Sequence, residues 1–84
     1  MSSPTDSATP TANEVHELNK QLSTMRHDVN NHLSLILAAV ELIRRKPDAL
    51  ERMAGTLTEQ PTKITEAMVK FSTSFERTFG IKRD

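Results

Sequence analysis

The chain has 84 residues, 36% of them hydrophobic, with 11 basic and 11 acidic side chains and no cysteine. That length bounds it to one small domain, and the zero formal charge argues against a nucleic-acid binder, which normally carries a basic stripe. The absent cysteines exclude disulfides and thiolate metal sites and fit a reducing compartment.

Residues 1–12 are rich in Ser, Thr and Pro and poor in apolar side chains, so they are expected to form a disordered tail. Residues 13–80 are expected to form the folded part. Thr11 and Glu14 have capping-box spacing, which marks a helix start. The pattern then runs to about Arg45 without Gly or Pro, a rod of roughly 50 Å at the helical rise per residue. Taken as a heptad with Val15 at a and Leu18 at d, its inward positions are Val15, Leu18, Leu22, Met25, Val29, His32, Ile36, Ala39 and Ile43. Lys20, His27, Ser34 and Glu41 occupy f, the position furthest from that seam. Arg44, Arg45 and Lys46 read as charge complementing the helix C-terminus.

Lys46-Pro47-Asp48 breaks the pattern. Pro47 disfavours helix at the residue before it, and Asp48 with Glu51 is expected to cap a second helix. Its apolar series is Leu50, Met53, Leu57, Ile64, Met68, Phe71, Phe75 and Phe79, with Gly80 suited to the C-terminal stop. Pro61 falls inside, predicting a kink or a split near Gln60.

Two helices of similar length and a tight turn make an all-α antiparallel hairpin. Pairing about Pro47 sets His27 level with Ala67 and Met68, and Phe71, Phe75 and Phe79 near Leu22, Leu18 and Val15. With three Phe and no Tyr or Trp, one copy can build only a thin core. Residues 33–43 are apolar over more than one stripe, which a single partner helix cannot cover. A homodimer, two hairpins packed as a four-helix bundle, is therefore expected. No apolar run reaches membrane-spanning length and no signal-peptide pattern opens the chain, so a cytoplasmic setting is expected.

The chemistry concentrates in Arg26-His27-Asp28-Val29-Asn30-Asn31-His32-Leu33. An imidazole offers a nucleophilic nitrogen near neutral pH. A neighbouring carboxylate can hold one ring nitrogen and leave the other free to attack. An exposed histidine on a rigid rod suits phosphoryl transfer, which depends mostly on positioning and charge stabilisation. Asn31, one turn on, can hydrogen-bond a phosphate oxygen or position a water. The opposing reading is a solvated surface histidine, the commoner fate of such a residue.

This segment resembles the H-box of sensor histidine kinases, in the variant that reads His-Asp-x-Asn-Asn-x-Leu. In outline the resemblance spans residues 14–79, although only the H-box is specific. It implies a dimerisation and phosphoacceptor domain of a two-component system. His27 would be the phosphoacceptor, Asp28 the acid that helps activate it, and Asn31 the match to the Thr or Asn that orients water for dephosphorylation. Many members carry Pro five residues after the phosphoacceptor, which bends the helix. Here His32 stands there, on the inward face, and reads as a core or interface histidine paired with Asp28 one turn back. Pro61 has no counterpart in the resemblance.

No Gly-rich loop or sheet is present to bind ATP, so ATP and magnesium are expected only through partner domains. The expected partners are a second copy, a response-regulator receiver domain and a separate ATP-binding kinase domain, with neither nucleic acid nor membrane among them. Receiver docking is expected along Asn30, Ser34 and Leu37, on the side of His27. The three histidines have no i, i+4 partner and no ligand cluster, so no metal site is expected. Two rivals stand beside the phosphoacceptor reading: a structural dimerisation module with a non-functional H-box, and a partner-binding helix pair such as an adaptor or antitoxin.

Overall fold

A computed structural model of the protein describes residues 9–81. Most of the expected tail, residues 1–8, lies outside them, and Ala12, assigned to that tail, is already helical. Among the described residues the fold is all-α: α1 (Ala12–Arg45), a short 3₁₀ segment (Pro47–Ala49) and α2 (Leu50–Phe79).

The start of α1 is the capping box its sequence announces. The Thr11 N–H donates to Glu14 Oε1 at 2.8 Å, and the Glu14 N–H donates to Thr11 Oγ1 at 3.1 Å. Two helix-end donors are thereby satisfied without water. At the other end Lys46 takes the extended conformation (φ −135°, ψ 86°) imposed by the following proline. Its N–H still donates to the Leu42 carbonyl at 2.7 Å.

Asp48 does not cap α2. Pro47–Ala49 forms a 3₁₀ turn, with the Ala49 N–H donating to the Lys46 carbonyl at 2.8 Å. Ala49 continues directly into α2 with helical angles and no side-chain cap. A chain that arrives already helical occupies its first donors with 3₁₀ carbonyls and leaves no gap for a side-chain oxygen. The end of α2 does follow expectation. Gly80 is left-handed at φ 66°, its N–H donating to Arg77 and that of Ile81 to Glu76, the pattern of a Schellman stop. Between these ends α2 is one continuous helix, Pro61 included, so there is no split near Gln60.

The two helices lie side by side in a layer whose Cα extents are 64 × 26 × 12 Å. A layer one helix thick buries side chains along a line and not in a volume. Leu18 and Ala39 are buried on α1, Ala49 in the turn and Gln60 on α2. The remaining inward positions of α1 (Leu22, Met25, Val29, His32, Ile36 and Ile43) are half-buried, and Val15 is exposed near the frayable end. Phe71, Phe75 and Phe79 stack along α2 with successive ring centroids 6.1 and 4.7 Å apart.

Much apolar surface stays uncovered. On α1, Leu33, Leu37 and Val40 are exposed, spaced i, i+4, i+7 on one stripe. On α2, Leu50, Met68 and Phe75 form the corresponding stripe. Helical rotation brings both stripes to the same face of the antiparallel pair. No helix is long and apolar enough to cross a membrane among the described residues.

Candidate functional site

His27 sits halfway along α1 with its side chain exposed. Helical rotation explains this: it lies on the side of α1 away from α2. Among the described residues its ring has no hydrogen-bond or ion-pair partner. Asn31 is also exposed and one turn further on. Because helical side chains lean toward the N-terminus, Asn31 inclines over the turn that carries His27.

Asp28 is placed differently. It is half-buried and does not hydrogen-bond His27. Consecutive helical residues point about 100° apart and do not face each other. Asp28 turns toward α2 and joins a groove of about 290 Å³ lined by Gln21, Thr24, Met25, Asp28, Ala67, Lys70, Phe71 and Ser74. Met25, Ala67 and Phe71 supply its apolar part, and polar groups its rim. The level expected from the sequence holds here to within a turn, since Ala67 lines the groove together with Thr24 and Met25, in the turn before His27. Asp28 and Lys70 line the same groove without forming an ion pair with each other.

Asn30, Ser34 and Leu37, the expected docking residues, are exposed on α1, Leu37 at 67%. Leu37 borders the apolar stripe through Leu33 and Val40, one turn to either side. The groove opens on the opposite face of the hairpin. The six residues singled out in the sequence thus divide into His27, Asn30, Asn31, Ser34 and Leu37 around the outer side of α1, and Asp28 in the groove.

His32 is the structural histidine its inward position implies, with a different partner from the one expected. Its Nδ1 lies 2.7 Å from Gln60 Oε1 on α2, and Asp28 takes no part. An amide oxygen only accepts, so the contact requires the proton on Nδ1 and leaves Nε2 as the unprotonated nitrogen of the neutral ring. Gln60 is 3% exposed, among the most buried residues of the hairpin. It was legible as a gap: the apolar series of α2 skips from Leu57 to Ile64, and residue 60 is the position an apolar side chain would fill at three-four spacing. The groove residues of α2, Lys70 and Ser74, carried no such signal, since their role depends on where α1 lies.

Among the described residues no group of three or more His, Cys, Asp or Glu side chains could hold a metal ion. No family model, curated protein or solved structure matches the chain.

Proposed function

We propose that the chain is a histidine phosphoacceptor of a two-component relay, a phosphotransferase-type domain that exchanges phosphate between His27 and the aspartate of a receiver domain. The observation that carries this reading is the placement of His27: exposed, unpartnered and midway along an uninterrupted helix. A ring nitrogen attacks the phosphorus of the receiver's aspartyl phosphate. The P–N bond forms as the P–O bond to the carboxylate breaks, and the carboxylate leaves with the electron pair. Such a transfer needs in-line approach and charge stabilisation more than covalent machinery. The receiver supplies the magnesium, ATP belongs to a separate kinase domain, and Asn31 holds a phosphate oxygen or a water. Asn30, Ser34 and Leu37 are the proposed docking contacts.

The working unit is a cytoplasmic homodimer, a four-helix bundle closed through Leu33 and Val40 on α1 and Leu50, Met68 and Phe75 on α2, with Leu37 at the border of that seam left to the docking side. Exposed apolar side chains aligned on one face are what a second copy covers. That arrangement leaves His27 on the outside of the bundle.

The test is phosphotransfer from a panel of phosphorylated receiver domains to the native chain and to His27→Ala. Acid-labile label on the native chain alone is the expected result. A folded native chain that accepts no label from any receiver would sink the proposal. Asp28→Asn sharpens the mechanism. Transfer should slow by about 10-fold or more if Asp28 aids His27, with dimer stability unchanged. Equal rates would remove that role.

A second reading has one observation in its favour. Asp28 faces the groove and not His27, as it would in a bundle that only assembles other domains and whose H-box is vestigial. This structural dimerisation module predicts the same dimer and no phosphohistidine.

A further inference from the structure

We propose that α2 contains a joint at residues 55–61 and that the His32–Gln60 hydrogen bond is the latch that holds it. Three features weaken the helix within two turns. Pro61 has no N–H, so the Leu57 carbonyl loses its regular helical donor. The Thr58 hydroxyl donates back to the Ala54 and Gly55 carbonyls at 3.0 and 3.1 Å, competing with the backbone ladder and favouring a bend. Gly55 is an interior helical glycine at which an added Cβ would meet nothing within 4 Å. Packing does not demand glycine there, and its effect is to loosen the turn.

The latch sits at the edge of this segment. Gln60 immediately precedes Pro61, is 3% exposed, and is tied across the hairpin to His32 at 2.7 Å. An apolar residue at position 60 would pack against α1 without a required direction. A hydrogen bond imposes one, so it sets the angle at which the far half of α2 leaves the joint. His32 belongs to α1, about 7.5 Å along the helix from His27. The half of α2 beyond the joint carries Ala67, Lys70, Phe71 and Ser74, the α2 wall of the groove. Movement at the joint therefore widens or narrows the groove that Asp28 lines while the turn half stays in place. This inference concerns the helix itself and holds whether or not His27 accepts phosphate.

Amide hydrogen exchange and a distance measurement test it on the full chain. In the native protein, amides 54–60 should exchange about tenfold faster than amides 64–70. Equal protection of the two segments would overturn the joint. The chain has no native cysteine, so Arg52→Cys and Thr73→Cys place one spin-label pair per chain on exposed sites either side, about 31 Å apart on a straight helix. The distance is measured with the labelled chain diluted in unlabelled chain. Gln60→Met should broaden that distance distribution and accelerate exchange at 54–60 further, and Pro61→Ala should narrow and slow them. A Gln60→Met chain with the native distribution and native exchange would overturn the latch. The exchange comparison within the native chain keeps the joint testable should the variant fail to fold.

Discussion

The hairpin's two faces are built from the same pair of helices and carry opposite kinds of surface. One presents Leu33, Leu37, Val40, Leu50, Met68 and Phe75, exposed in the single chain. The other presents Thr24, Asp28, Lys70 and Ser74 around an apolar cleft, with Leu35 as its large exposed apolar side chain on α1, two turns beyond Asp28. A layer one helix deep has no interior in which to hide the first set, so the asymmetry is a division of labour between faces. In the proposed bundle, burial against a second copy belongs to the apolar face, and the groove face stays wet. His27 lies at the outer edge of α1, clear of the contact between the helices, so chemistry there need not disturb association.

The largest test of that division is Val40→Asp. An unpaired carboxylate buried in the proposed dimer seam costs about 3 kcal/mol or more, so the native chain should sediment as a dimer and the variant as a monomer. A dimer of native strength would place the seam elsewhere. A smaller effect belongs to the line between the faces. His32→Leu leaves the buried Gln60 amide without its partner and should lower stability to urea by about 1–3 kcal/mol. Adding Gln60→Leu should recover most of the loss, because removing both polar partners is nearly neutral. The smallest effect is expected on the groove face. Thr24→Asp, at an exposed position, should change stability by no more than about 0.5 kcal/mol and leave the sedimentation of the dimer unchanged. A loss comparable to that of Val40→Asp would show that both faces are covered.

Helix ends, levels and the exposure of His27 were readable because they depend on local chemistry or on helical period. Thr11 with Glu14, the Arg45 limit and Gly80 each act within a few residues of themselves. His27 at an f position needed only rotation by 100° per residue. What escaped depended on the neighbour. Asp48 followed by Glu51 has the spacing of a cap, yet the 3₁₀ turn had already occupied the donors. Asp28 is adjacent to His27 in the chain, and adjacency on a helix means divergence. His32 was given an intrahelical partner at i−4, when the buried amide on α2 lay within reach. Lys70 and Ser74 enter the groove through the docking of one helix on another, which no periodicity within α2 records.

Ala49 gives the hairpin a fulcrum. It is 2% exposed and belongs to the 3₁₀ segment that packs under α1. Its methyl group therefore sets how closely the two rods start out. A side chain larger by even a few methylenes would act as a wedge, since close-packed contacts do not absorb added volume. The opening would grow along α2, whose 30 residues extend about 45 Å from the pivot. Its full amplitude would arrive where Phe71, Phe75 and Phe79 stack. The smallest side chain in the turn thus governs the spacing of the largest ones at the other end.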